Sequence, residues 1–263
     1  CCIMTYENNE VSVNHNWQTI TLNNIYNNPV VIVSDPSSNG SEPVCIRIRN
    51  VTSNTFEIRL QEPSNLDGSH SNETLTYLVG EYGNINLSDD FKMVFGSVDT
   101  DKIYKTLKTV NFETFNQTPI LLTQVQTYND DKFVVTRTKN INTSSFQVNM
   151  QNEEKLRTSN RNTETIGYVL ITKGQFSNTD ILIETKSPNT KVTHGWKSIT
   201  YNGNFDNSNL LMTKMSSLRG ADTSNTRVRN LTTDGFQIQI DEDTSKDSET
   251  KHIYEYINYI KFT

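Results

Sequence analysis

The chain has 263 residues, with 30 acidic side chains against 24 basic ones, a net charge of −6 and a pI near 5.3. The basic residues are scattered among acids, which excludes the concentrated cationic face that a nucleic-acid partner needs. No apolar run approaches the ~20 residues of a membrane-spanning helix, and no secretory signal pattern is present. The first residue is Cys1 and not Met, which is expected of a processed product or internal segment and hints at secretion. Hydrophobic content is low, at 33%. Val, Ile, Thr, Tyr and Phe nevertheless recur throughout, unlike in disordered segments, so several small, thin cores are expected.

In chain order, the same pattern is written three times. WQTITL (17–22), PVVIV (29–33) and RIRNVTSNTF (47–56) form the first copy; LKTVNF (107–112), PILLT (119–123) and RTKNINTSSF (137–146) the second; WKSITY (196–201), LLMT (210–213) and RVRNLTTDGF (227–236) the third. The period is about 90 residues, too long for a solenoid repeat of ~20–50 residues and long enough for a small domain with its own core. Leading strands are predicted at 3–6, 91–95 and 181–185, and closing strands at 75–79, 166–171 and 253–260. Between them Val44, Ile46 and Ile48 alternate with Cys45, Arg47 and Arg49, and Phe56, Ile58 and Leu60 alternate with Glu57, Arg59 and Gln61. Alternation over such short runs predicts half-buried antiparallel strands, and the Asn/Thr/Ser/Gly stretches between them predict tight hairpins. The expected fold is all-β, with about six strands per copy in a sandwich or small barrel and no helix. The expected boundaries give units of 1–88, 89–175 and 176–263.

Cysteine usage is odd in number. Cys1 and Cys2 are adjacent, and Cys45 stands alone. Three readings are open: a link from Cys1 or Cys2 to Cys45 or to a neighbouring molecule, lipid modification of Cys1, or three reduced thiols with Cys45 facing outward on its strand. Zinc is not expected, since no C-x-x-C pair or His cluster accompanies them.

The order Trp-x-x-Ile, Pro-Val-Val, a charged strand ending Asn-Val-Thr-x-x-x-Phe and a closing Tyr strand resembles the H-type lectin domain. The first copy carries the likeness most fully, in NGSEPV (39–44), RIRNVT (47–52), Gln61-Glu62, DGSH (67–70) and ETLTY (73–77). The resemblance implies three tandem six-stranded antiparallel β-sandwiches, carbohydrate binding and trimeric assembly. The family's sugar-binding Arg and Trp-His pair are missing: Pro43, Phe133 and Thr223 hold the first location, and Pro63, Glu153 and Asp243 the second. The family's own site is therefore not carried over.

Candidate sites remain. Arg47, Arg137 and Arg227 share one position in all three copies, followed two residues later by Arg49, Lys139 and Arg229; they suit acidic ligands, cross-strand ion pairs on a solvent face, or an interface between copies. The loop 62–73 contains Glu62, Asp67, His70 and Glu73, enough ligands for calcium, but its spacing matches no rigid calcium loop and the acids read as solvated. No metal or cofactor is expected. Ligand contacts in the first copy are expected here and at 37–42, loops that the resemblance brings to one end of the unit: Asn39, Glu62, Asp67, His70 and Glu73. His15 and His194 read as structural strand-end residues, and Trp17, Leu107 and Trp196 as core.

No nucleophile elbow, zinc-protease motif, P-loop or dinucleotide fingerprint is present, and an enzyme is not expected. The expectation is a non-catalytic extracellular or cell-surface adhesion protein binding glycans or glycoconjugates, its copies serving avidity. The rival is a structural subunit of a surface layer, filament or virion, self-assembling or disulfide-linked through Cys1 or Cys2.

Overall fold

The computed structural model describes residues 5–206 and 209–263. It is all-β, with one 3₁₀ turn at Glu154–Leu156 and no α-helix among the described residues. The first copy contains β1 (Tyr6–Val13), β2 (Gln18–Thr21), β3 (Pro29–Val33), β4 (Cys45–Arg49), β5 (Thr55–Gln61) and β6 (Glu73–Glu81). The second contains β7 (Gly83–Asn86), β8 (Lys92–Thr100), β9 (Lys108–Asn111), β10 (Ile120–Val125), β11 (Val134–Lys139), β12 (Ser145–Asn152) and β13 (Glu164–Ile171). The third contains β14 (Gly174–Ser177), β15 (Leu182–Lys186), β16 (Lys197–Thr200), β17 (Leu211–Met215), β18 (Ser224–Arg229), β19 (Gly235–Glu242) and β20 (Ile257–Phe262).

Each copy makes two small antiparallel sheets in one order. Copy 1 has β1-β6-β3 and β2-β5-β4; copies 2 and 3 repeat this as β8-β13-β10 with β9-β12-β11 and β15-β20-β17 with β16-β19-β18. β7 and β14 add an edge strand to the first sheet of copies 2 and 3. The β7–β8 and β14–β15 hairpins therefore straddle the expected boundaries at 88/89 and 175/176. The first leading strand lies at Tyr6–Val13, beyond the expected 3–6. Its polar run escaped the apolar pattern because it forms a sheet edge, paired on one side only, with β6. Residues 1–4 lie outside the described residues.

The hairpin between the charged strand and its partner has one geometry throughout. Asn50, Asn140 and Asn230 take φ of 51, 53 and 50°, a left-handed conformation that Asn tolerates better than most residues. Turns then close with Thr52, Asn142 and Thr232 donating to the carbonyls of Thr55, Ser145 and Gly235 at 2.8, 2.9 and 2.9 Å.

Alternation dictates what is buried. On β5 every second residue is covered, Phe56, Ile58 and Leu60 facing Val31, Val33 and Tyr77 of the opposite sheet. Equivalent apolar layers form around Phe146 and Tyr168 and around Phe236 and Tyr259. A fourth cluster belongs to all copies at once: Val30, Ile32 and Leu78 of the first meet Phe95, Ile120 and Val169 of the second and Ile183, Met212 and Phe262 of the third. The β3, β10 and β17 sheets thus carry apolar residues on both faces, one inward to the copy and one toward the centre of the molecule. Full burial of each such side chain is worth roughly 1.5–3 kcal/mol, so the three copies are held by shared core as well as by the chain.

Candidate functional site

β4 is also covered on both sides, unlike β5 beside it. Ile46 and Ile48 face their own core; the intervening Arg47 is fully buried against the next copy. Its Nη1 donates to the Lys132 carbonyl at 2.8 Å and its Nη2 to the Asp130 carbonyl at 2.6 Å, and Nη2 stands 3.7 Å from the Glu164 carboxylate. Arg137 repeats this on the third copy, donating to Glu255 at 2.6 Å. Arg227 closes the circuit on the first, donating to Glu73 at 2.8 Å and to the carbonyls of Gly40 and Glu42 at 2.9 and 3.1 Å. Copy 1 grips copy 2, copy 2 grips copy 3, and copy 3 grips copy 1. Of the readings open for these arginines, the interface between copies is observed for Arg47, Arg137 and Arg227; cross-strand ion pairs also form, from Arg227 to Asp241 at 2.9 Å and from Arg49 to Glu57. Only the covering copy hides this face from solvent.

The receiving carboxylates are built alike. Glu73 and Glu164 open their closing strands and Glu255 lies just before β20, and each accepts a hydroxyl from Ser37, Thr127 or Ser217. Backbone N–H groups complete the nest: Asn39 and Gly40 on Glu73, Asn129 and Asp130 on Glu164, Arg219 and Gly220 on Glu255. Burial alone would raise Glu255, but His252, Arg137 and the nest outweigh it and bring its pKa down to about 2. Glu73 is lowered for the same reasons, with His70 and Ser37 foremost against burial. An ionised carboxylate at full burial needs this many donors.

In the first and third copies a histidine completes the cluster. His70 is buried with Nδ1 3.0 Å from Glu62 Oε1 and Nε2 3.0 Å from Glu73 Oε1. His252 lies in the same way between Glu242 and Glu255. Carboxylates on both ring nitrogens call for two donors, which imidazole offers only when protonated. Burial disfavours that charge, yet the two hydrogen bonds win and the pKa of each histidine is raised. The second copy places Arg161 there, donating to Asn152 Oδ1 at 2.9 Å.

Of the expected ligand contacts, the structure brings Asn39, Glu62, His70 and Glu73 together and joins the loops 37–42 and 62–73. Glu62, His70 and Glu73 are buried and mutually bonded, not solvated: the third copy covers them through Arg227. Asp67 and Asn39 are exposed; Asp67 turns inward to its own loop, accepting from the Ser69 N–H at 2.8 Å, and the Asn39 amide donates to the Asn72 carbonyl at 2.9 Å. Single oxygen or nitrogen atoms of Glu42, Glu62 and His70 lie within 4.8 Å of one another. Both His70 nitrogens already serve carboxylates, so a cation there would compete with the ion pairs.

Three further residues differ from the sequence reading. Trp17 and Trp196 are half-buried and lie outside the apolar clusters. Each instead carries an arginine over its ring, Arg49 and Arg229, at 4.1 Å. An indole gains by facing a cation; the second copy has Leu107, which carries no ring, at this position. Cys45 is not outward-facing: it is buried at the junction of copies 1 and 2 beside Phe133 and Val135, where it accepts the Val134 N–H at 3.4 Å. It is a free thiol, and no disulfide occurs among the described residues; Cys1 and Cys2, with any link through them, lie outside those residues. His15 and His194 do serve strand ends, their Nδ1 atoms 3.0 and 3.4 Å from the carbonyls of His70 and His252. No described helix is long and apolar enough to cross a membrane.

No protein-family model matches the chain, and no solved structure matches it. Among curated proteins it is similar to halomucin of Haloquadratum walsbyi, 28% identical over 257 residues. That match covers 93% of this chain but only 3% of halomucin, so the chain spans a small fraction of its relative.

Proposed function

We propose that this chain is a non-catalytic extracellular binding and adhesion module for glycans, built from three H-type lectin-like β-sandwiches of about residues 1–88, 89–175 and 176–263. The observation that carries the reading is the closed circuit of Arg47, Arg137 and Arg227 onto Glu164, Glu255 and Glu73. H-type lectins commonly work as trimers, and this circuit makes one chain the covalent counterpart of a trimer. The similarity to halomucin, a protein whose name classes it with the mucins, supports an extracellular setting. A non-catalytic role accords with the use of the buried carboxylates Glu255 and Glu73 as ties between copies, to Arg137 and Arg227. Screening the purified chain on a glycan array, with and without calcium, tests the reading; failure to bind any glycan sinks it.

A second reading is favoured by the 3% coverage of halomucin: the chain as one structural segment of a long surface protein, contributing rigidity and no ligand. Absence of glycan binding together with concentration-dependent self-association in sedimentation velocity would establish it over the first.

A further inference from the structure

Each junction between copies leaves an open groove, and the three grooves are built from the same positions. The groove between copies 1 and 2 has a volume of about 720 Å³, that between copies 2 and 3 about 410 Å³, and that between copies 3 and 1 about 480 Å³. All lie within or near the usual size of small-molecule sites, ~300–1,000 Å³. On one wall stand Asn50, Asn140 and Asn230, the left-handed residues that end the charged strands. In each, the amide nitrogen is anchored across the hairpin, to Glu57 at 3.2 Å, Gln147 at 2.7 Å and Gln237 at 2.9 Å. The amide planes are thereby fixed before a ligand arrives. Turn geometry alone does not require this side chain, since glycine adopts the same backbone freely.

We propose that these junction grooves bind carbohydrate, with the groove between copies 1 and 2 as the principal site and no metal needed there. The proposal rests on the glycan reading above and locates its site. The lining of the first groove is dominated by side-chain amides and hydroxyls: Asn28 and Asn50 from copy 1 face Gln126 and Asn129 from copy 2. Amides offer paired donors and acceptors that match the vicinal hydroxyls of a sugar, whereas an apolar ligand would need an apolar wall. The far wall is held rigid. Gln126 accepts the Val31 N–H across the junction at 3.1 Å, and Tyr128 has Arg47 4.3 Å over its ring and Arg59 donating to its hydroxyl at 2.9 Å. Walls that need no ordering on binding keep more of their interaction energy as affinity. No carboxylate lines the first or second groove, which leaves calcium no anionic ligand there; the third groove differs in presenting Glu10 and Asp35.

The test uses the full chain on an array of neutral, sialylated and sulfated oligosaccharides in the presence of a chelator, followed by titration of the strongest arrayed binder. Asn28→Trp fills the first groove from an exposed position, and Asn50→Gly removes the amide while keeping the turn. Asp67→Ala, in the loop at 62–73, is the comparison. Binding that survives the chelator, is unchanged in Asp67→Ala and falls about tenfold or more in either groove variant supports the proposal, a loss on the scale of one or two ligand hydrogen bonds. Should Asn28→Trp melt differently from the parent chain, Asn50→Gly decides. Binding that needs calcium, or that is lost in Asp67→Ala and kept in both groove variants, overturns the grooves and leaves the glycan reading standing. No binding to any oligosaccharide overturns both.

Discussion

Arg137 and Glu255 are 118 residues apart and fully buried, yet the guanidinium Nη2 donates to the carboxylate at 2.6 Å. Breaking a buried pair by removing one partner strands a charge in low dielectric, at a cost of ~3–5 kcal/mol. Arg137→Met and Glu255→Gln are each expected to destabilise the chain by about that amount in urea or thermal unfolding. Arg47 stands farther from Glu164, at 3.7 Å, and shares it with Arg161 at 3.6 Å. Glu164→Gln is therefore expected to lose less stability than Glu255→Gln; equal losses would count against a role for the direct ion pair.

The central cluster makes a prediction about cooperativity. Phe95 is 1% exposed and packs in a core to which all copies contribute. Phe95→Ala should cost ~3–5 kcal/mol and should lower one calorimetric transition for the entire chain. Three separate transitions, with only the second one shifted, would show that the copies fold independently. A fragment limited to residues 1–88 should self-associate, because it exposes Val30, Ile32 and Leu78 and carries both Arg47 and Glu73.

Stability should peak in mildly acid solution. Histidines held above their usual pKa stabilise the fold fully below the unfolded value, about 6.5, and lose that contribution as pH rises through the folded value. His70 and His252 both behave so. Glu154 adds to the trend, since burial and then Asp222 push it well above the carboxylate range. Glu73 and Glu255 are lowered, so their contribution is present above about 4.3 and fades as pH falls toward their folded values. The melting temperature is expected to drop on both sides of about pH 5–6. In a His70→Gln, His252→Gln double variant the alkaline limb should flatten; an unchanged limb would remove the histidines from the account.

Much of this fold could be read from alternation alone. Ile46, Ile48, Phe56 and Ile58 announced their faces, and the Asn-containing turns announced the hairpins. Copy number and order were equally plain. The junctions were not, because Arg47 sits between Ile46 and Ile48 on what a single copy presents as its solvent face. Glu73, Glu164 and Glu255 share a position too, but an acid at or just before the start of a strand looks like any other surface charge until a neighbouring copy covers it. The same blindness hid the grooves: Asn50 and Gln126 belong to different copies, and no linear motif spans them.

Two glycines offer the sharpest test of how the clusters are packed. A Cβ added at Gly40 would lie 2.7 Å from the His70 ring, and one at Gly220 would lie 2.5 Å from the His252 ring. The second copy has Asp130 at this position and Arg161 in place of the histidine. The imidazole fills space that the glycine leaves, while Arg161 reaches past, donating to the Asp130 and Lys132 carbonyls at 3.4 and 2.9 Å. Gly40→Asp alone is expected to cost ~1–3 kcal/mol from overpacking against His70. Adding His70→Arg should recover a good part of it, since the pair then matches the second copy. A double-mutant cycle on unfolding free energy measures the coupling directly, and a value near zero would mean that residue 40 and residue 70 vary independently.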